Sequence, residues 1–405
     1  MADILVDQGP MATQDLLAAL EGHGCVTSSD RTLSLSSALI RSRELGLVAV
    51  GGEQGSKIQI SAFMDALHWH RHELQGQGTL RFVLGRGKDT ESVIPAVATL
   101  LDALSPKVRD LVRIEVNLKP VTPSPPDFEG AGGKWPSLLR QQQSAQLPTL
   151  ASRILAEVNH TCFRWYSPLT SSGWSGRVEG LEVCKILPPG DRGVLDVGKP
   201  GKNGRESTAR TRFKELTGLH DAFNFNEGNV EEAAVLIRAL ADDRTSGPLK
   251  DCDPEHRLES RILRGDLEVE IPDLGKLEPV VADVPFLFPT QWVVDGAARY
   301  VDALMRVGST TLVLELKEIS GGQGQYYRHA VGQAVLYRSF IRQAKLLHPW
   351  FDQHGLHAAD CRAAVIFLEL RGSEHRRSQL LDDLTWMGEL FDVAIVPLRL
   401  GRQED

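Results

Sequence analysis

Cysteine is scarce in this chain. There are five in 405 residues, Cys25, Cys162, Cys184, Cys252 and Cys361, odd in number, scattered, and with no CxxC pair. That pattern excludes a disulfide framework, a zinc ribbon and a cysteine-held iron–sulfur cluster, and leaves core or partly buried thiols. Long apolar runs are also missing: no segment of about 18 apolar residues occurs, so no membrane partner is expected. The opening "MADILVDQGPMATQ" has neither the basic nor the apolar region of a signal peptide, and a cytoplasmic location is the expectation. A motor signature is lacking too. "RFVLGRGKDTES" (81–92) reads strand, Gly-rich turn, helix, and its amides suit a phosphate, but the spacing is not GxxxxGK[ST] and an ordinary βα turn accounts for it. Finally, cations are not in excess. The formal net charge is −8, so the chain is no polycation. Nucleic acid stays open as a partner, because acidic and basic surfaces segregate within one protein and a nuclease spends carboxylates on metal ions.

What is present reads as a multidomain α/β protein, since 405 residues exceed one compact core. Residues 1–62 form a first unit. Thr13 is placed to cap a helix over Gln14–Glu21, "SLSSALIRSRELG" suggests a second helix with Leu35, Leu39 and Ile40 inward, and "LVAVGGEQGSKIQIS" reads as a hairpin. Helices followed by a hairpin resemble a winged helix-turn-helix, with Ser36, Arg41 and Arg43 on the outer face of its recognition helix; docking to a protein is the alternative use. Residues 63–118 make a small α/β segment. Within it, His68 and His72 of "HWHRHE" stand one helical turn apart and suit a shared metal, but the order is not HExxH and no third ligand lies nearby, so a His-rich surface helix is the plainer reading. Residues 119–134, "KPVTPSPPDFEGAGGK", read as a linker.

A basic middle α+β domain is expected over 135–249. From Lys185 to Glu215 eight Lys/Arg face four Asp/Glu, and Lys199, Lys202, Arg205, Arg210 and Arg212 among spaced glycines suit a phosphate-gripping loop as well as they suit a solvated surface loop.

The strongest signal lies in 250–405. "DPEHRLESRILRG" reads as a helix with Leu258 and Ile262 one turn apart and Gly265 closing it. "LEPVVADVPFLF" and "QWVVDG" follow as strands, then "ARYVDALMRVG". In "TLVLELKEI", period two puts Leu312, Leu314 and Leu316 on one face and Val313, Glu315 and Lys317 on the other. A hairpin around Val307–Gly308–Ser309 sets Asp302 across from Glu315. Buried isolated charges cost several kcal/mol, so these three need a reason, and a divalent cation held by hard oxygens supplies one. A helix carrying Gln333 and Tyr337 one turn apart, a buried strand "AAVIFLEL", a helix and a last strand "DVAIVPLRL" complete the chain.

This ordered set, helical Glu259, Asp302, Glu315-x-Lys317 and Gln333-x-x-x-Tyr337, resembles the PD-(D/E)XK nuclease superfamily, in its RecB-like branch. The resemblance implies a restriction-endonuclease-like mixed β-sheet flanked by helices. It implies metal ligation, by Mg²⁺ or Mn²⁺, through Asp302, Glu315, the Leu316 carbonyl and Glu259. Lys317 would act in catalysis, and Gln333 and Tyr337 would line the substrate channel. The expectation is a metal-dependent DNA nuclease in restriction, repair or anti-phage defence, cutting DNA rather than RNA, alone or beside a separate motor or defence-system protein. A non-catalytic nucleic-acid- or protein-binding regulator on the same scaffold is the alternative. "LDVGK" of the middle region, with Glu157, Glu179, Asp196 and Lys199, is a faint second version of the same order.

Overall fold

The structure, a computed structural model, describes residues 26–27, 38–42, 46–52, 56–85, 90–128, 139, 145–167, 173–197, 208–246, 254–280, 288–294, 297–317, 324–368 and 374–398. It is a mixed α/β protein with several sheets. Among the described residues no helix is long and apolar enough to cross a membrane.

The first sheet runs in chain order: β1 (Val26–Thr27), β2 (Ala38–Ser42), β3 (Gly46–Gly52), β4 (Leu80–Leu84), β5 (Val112–Val116) and β6 (Lys119–Val121). β3, β4 and β5 are parallel and the outer pairs antiparallel. Parallel neighbours need crossovers, and helices supply them: α1 (Ser56–Leu74) between β3 and β4, then α2 (Thr90–Ala103) and α3 (Pro106–Arg109) between β4 and β5. Ile60, Phe63, Met64 and Leu67 recur at helical spacing and are all buried.

The second unit is α4 (Thr149–Val158), β7 (Phe163–Tyr166), β8 (Trp174–Val178), β9 (Leu181–Leu187), β10 (Arg192–Leu195), α5 (Thr208–Thr217), β11 (Phe223–Asn226) and α6 (Val230–Ser246). Its sheet is antiparallel throughout, in the order β11-β10-β9-β8-β7, over a core of its own that includes Ile154, Phe163, Val183, Phe213, Phe225 and Ile237.

The third unit begins with α7 (Pro254–Arg264), closed by Gly265 at φ +76°. Next come the short pair β12 (Glu270–Ile271) and β13 (Gly275–Lys276), β14 (Glu278–Pro279), and the paired β15 (Phe288–Val294) and β16 (Ala297–Val301). β17 (Ala303–Val307), β18 (Thr310–Lys317), α8 (Gly324–Gln343), α9 (His348–Gln353), β19 (His357–Leu368), α10 (Glu374–Phe391) and β20 (Val393–Leu398) complete it. The sheet order is β14-β17-β18-β19-β20, antiparallel up to β18 and parallel from β18 to β20. Leu312, Leu314 and Leu316 of β18 pack with Leu258 and Ile262 of α7 on one face. Val313 lies on the other, in the core that holds Ala330, Val331 and Ala334 of α8.

That second core does not stop at the third unit. It runs on through Phe63, Leu67 and Phe82 of the first, and the buried Asp65–Arg328 pair (2.7 Å) ties α1 to α8. The helix α1 also crosses the expected boundary at 62. The first and third units therefore share one interior.

Several expectations change here. Residues 38–42 are a strand, not part of a recognition helix, so Arg41 lies in β2 with Leu47 as its partner; Ser36, Arg43 and the helix expected over 14–21 lie outside the described residues. The expected hairpin at 47–61 is instead the strand β3 and the first turn of α1. The reason is ambiguity of short apolar runs: Ala38–Ile40 fits either period, and pairing with β3 decides it. The linker expected over 119–134 is tied down in its first part. β6 pairs with β5, and Phe128 meets the Phe340 ring edge-on at 5.2 Å. Core thiols were the reading for cysteine, and Cys162, Cys184 and Cys361 are free and buried; burial pushes Cys162 and Cys361 up to about 12.

Gly388 marks the tightest approach of α10 to its sheet. A Cβ there would stand 2.6 Å from the Val393 carbonyl and 2.6 Å from Ile395 Cγ1. Gly388→Ala is therefore expected to destabilise by about 1–3 kcal/mol, although alanine is the better helix former. A denaturant midpoint equal to or above wild type would contradict this.

Candidate functional site

The site grows from a two-residue hairpin. Val307 pairs with Thr310 across Gly308–Ser309, and Gly308 takes the positive φ (+59°) that such a turn requires at its first central position. From that turn the register counts back to Ala303 opposite Leu314. Asp302, one step beyond the last pair, thus falls opposite Glu315, and its Oδ2 accepts a hydrogen bond from the Leu316 amide at 2.9 Å. The register inferred from the sequence is the one observed.

Glu315 and Lys317 lie on the Val313 face of β18 and are 1% and 5% exposed. They meet within the interior rather than facing an open cleft. Lys317 Nζ donates to Glu315 Oε1 at 2.6 Å and to the Leu316 carbonyl at 2.9 Å, and stands 3.5 Å from Glu255 Oε1 of α7. The ammonium is thus clasped by three oxygens from two elements.

The electrostatics follow from this crowding. Burial and the Glu315 charge hold the Asp302 carboxyl well above its usual range, and Glu255 adds to the effect; Lys317 and the Leu316 N–H pull the other way and lose. Two carboxyl groups, Asp302 and Glu315, are thus crowded around one ammonium.

The helical acid that reaches Lys317 is Glu255, one turn before the Glu259 that sequence order favoured. The charge of Glu259 acts on Tyr166 of the second unit, whose hydroxyl is pushed up to about 12 by burial first and by Glu259 next. Both acids sit on one face of α7, four residues apart. The only sequence signal for Glu255 was its place in the first turn of that helix.

Gln333 and Tyr337 do come together, Gln333 Nε2 donating to the Tyr337 hydroxyl at 3.3 Å, but both are buried, and Tyr337 belongs to the shared core. Of the basic segment, Lys199, Lys202 and Arg205 lie outside the described residues. Arg210 and Arg212 are on the helix α5, not a loop, and carboxylates engage both: Asp196 holds Arg210, while Asp243 and Glu215 hold Arg212.

No family model, no curated protein and no solved structure matches this chain. The geometry stands by itself.

Of the second, fainter acid–lysine order in the middle unit, Lys199 lies outside the described residues. Glu179, in the tight turn between β8 and β9, is 1% exposed and is claimed by Arg257, Arg261 and Arg264 of α7. Asp196 faces Arg210. Glu179 is thereby tied to the helix that carries Glu255 to Lys317. Sequence reasoning missed this, since Glu179 lies about 80 residues before the three arginines of α7 and nothing in the local pattern pairs it with them.

Proposed function

We propose that the third unit is a divalent-metal-dependent nuclease hydrolysing phosphodiester bonds, with DNA as its substrate. The observation that carries this is the meeting of Asp302, Glu315 and Lys317 at one end of β18, beside Glu255. The element order supports it: counting the strands of the main sheet alone, helix α7, the antiparallel strands β14, β17 and β18, helix α8 and the further strands β19 and β20 follow the core order, a helix, three strands, a helix and further strands, of the PD-(D/E)XK superfamily that the motifs resemble.

The donor set fits a hard divalent cation. Asp302 and Glu315 bring carboxylate oxygens and Leu316 a carbonyl, and a cation would offset the burial and the Glu315 charge that raise the Asp302 carboxyl. Mg²⁺ or Mn²⁺ would be held by Asp302, Glu315 and the Leu316 carbonyl, and would supply charge neutralisation at the phosphate and a more acidic water. Two of those oxygens now bind the Lys317 ammonium, which occupies the cation's place. Lys317 would then have to turn aside, and its ammonium would serve to orient the attacking water and to stabilise charge developing on the scissile phosphate. Glu255, 3.5 Å from the Lys317 Nζ, would help to direct that ammonium.

The test is cleavage of plasmid and linear DNA with Mg²⁺ or Mn²⁺. Lys317→Ala is expected to lose about 100-fold or more in rate, in keeping with several kcal/mol of transition-state stabilisation. The same variant should bind Mn²⁺ at least as tightly as wild type, because the competing ammonium is gone. Equal cleavage by wild type and Lys317→Ala would overturn the assignment.

A non-catalytic, nucleic-acid- or protein-binding scaffold draws on one observation: the Glu315–Lys317 pair is a closed, mutually neutralising contact inside the protein. It would bind no Mn²⁺ in a manner dependent on Asp302, and calorimetric titration separates the two readings.

A further inference from the structure

The histidines of "HWHRHE" divide into two kinds. His70 is buried and bonds the Gly78 carbonyl at 3.0 Å, closing the end of its own helix. His68 and His72 turn the other way, ring centroids 4.4 Å apart, towards Asp383 of α10. His72 Nε2 is 2.9 Å from Asp383 Oδ1, and His68 Nδ1 is 3.8 Å from Asp383 Oδ2. One ligand atom from each of the three residues can be chosen so that all lie within 4.8 Å of one another.

We propose that His68, His72 and Asp383 form a second metal site, for a borderline transition cation such as Zn²⁺, that clamps α1 to α10. The third ligand that the sequence lacked nearby lies 311 residues further on. Two nitrogens and one carboxylate oxygen suit zinc rather than magnesium, with a water in the fourth position. A tetrahedral zinc with ligands at about 2.0–2.1 Å sets them about 3.3 Å apart, so the three ligand atoms, now within 4.8 Å of one another, would draw closer on loading. A second observation points to a ligand: the His68 side chain is 9% exposed, and its Nδ1 has no hydrogen-bond partner although it is aimed at Asp383. A buried polar nitrogen of that kind calls for an explanation.

The charges around the cluster are mixed. Arg71 Nη1 lies 3.5 Å from Asp383 Oδ1 while its guanidinium stacks over Trp386 at 4.8 Å. Arg71 thus competes with the cation for Asp383, and Arg328 is directed to Asp65. The site is partly self-neutralised until a metal displaces Arg71.

The test uses Co²⁺ on the full, chelator-stripped chain, in wild type and in an Asp302→Asn background that removes the carboxylate site. One equivalent is expected to give the intense visible bands of four-coordinate cobalt in both, discharged by Zn²⁺. His72→Ala, a half-exposed position that can be changed without disturbing the core, and Asp383→Asn should each weaken binding 10-fold or more, while Arg71→Ala should tighten it. Zn²⁺ should raise the midpoint of thermal unfolding in wild type but not in Asp383→Asn. Absence of the bands in wild type, or bands unchanged in both His72→Ala and Asp383→Asn, overturns the proposal. Weaker binding in Arg71→Ala counts against it as well, because a purely structural His–Asp contact gives that residue no antagonistic part.

Discussion

Asp302→Asn is expected to abolish metal-dependent cleavage, a loss of about 1000-fold or more, and at the same time to make the metal-free protein more stable near neutral pH. The two effects have one cause. The Asp302 carboxyl is held well above its ordinary value by burial and by the neighbouring Glu315 charge. A group whose native pKa is raised contributes stability that is present below its unfolded value, about 3.9, and is lost as pH rises through the native value. Ionising this poorly solvated carboxyl as pH rises is therefore costly in the wild type, a cost that a divalent cation relieves and an amide removes. The Asn side chain still offers an oxygen to the Leu316 amide that now bonds Asp302. It does not offer the negative oxygen a hard cation requires. Thermal unfolding from acid to neutral pH, with and without Mn²⁺, checks the whole pattern. Wild type should lose stability as pH rises and regain it with Mn²⁺, whereas Asp302→Asn should show neither response. A variant that is less stable at pH 7 and still shifts with Mn²⁺ would remove Asp302 from the site.

Glu179→Ala is expected to cost about 3–5 kcal/mol, the range found when one member of a buried ion pair is deleted. Glu179 occupies the first position of a two-residue turn in which it and Gly180 both take positive φ (+47° and +81°), as the hairpin between β8 and β9 demands. From there its carboxylate accepts hydrogen bonds from Arg264 Nη2 at 2.7 Å, Arg261 Nε at 3.3 Å and Arg257 Nε at 3.4 Å. Arg257 and Arg264 are 3% and 5% exposed in their side chains, so the alanine variant leaves their charge inside without its shared counter-ion. Burial alone would raise the Glu179 pKa, but the hydrogen bond from Arg264 and the charges of Arg264, Arg261 and Arg257 outweigh it, and the net direction is down. A lowered acid contributes stability above its unfolded pKa and loses it as pH falls through the native value, so the contribution fades below about pH 4. Glu179→Gln, which cannot titrate, should lack that acid limb. Denaturant unfolding of Glu179→Ala measures the first claim. Cleavage by its folded fraction measures another consequence, since α7 also carries Glu255 to Lys317. Unchanged stability in Glu179→Ala would show that the three arginines are satisfied without it.

Much of the candidate site was legible because it is local. Period two along β18 separates the leucine face from the charged face whatever the rest of the chain does. A two-residue turn at Gly308 fixes the register of β17 on β18, and with it the neighbourhood of Asp302 and Glu315. Helical spacing likewise makes Gln333 and Tyr337 neighbours and puts His68 beside His72. These relations need only backbone geometry, and the sequence by itself determined them.

Tertiary packing decided the rest, because residues far apart in a chain meet only through the elements that carry them. Burial of Glu315 with Lys317 depends on α8 covering that face of the sheet. The choice of Glu255 at Lys317 depends on how α7 is turned, and Glu179 holds α7 from another unit of the chain. Asp383 completes the histidine pair only because α1 and α10 are brought together in one shared interior. The strand at 38–42 also belongs here: its apolar run satisfies helix and strand alike, and pairing with β3 settles the matter by satisfying its backbone hydrogen bonds.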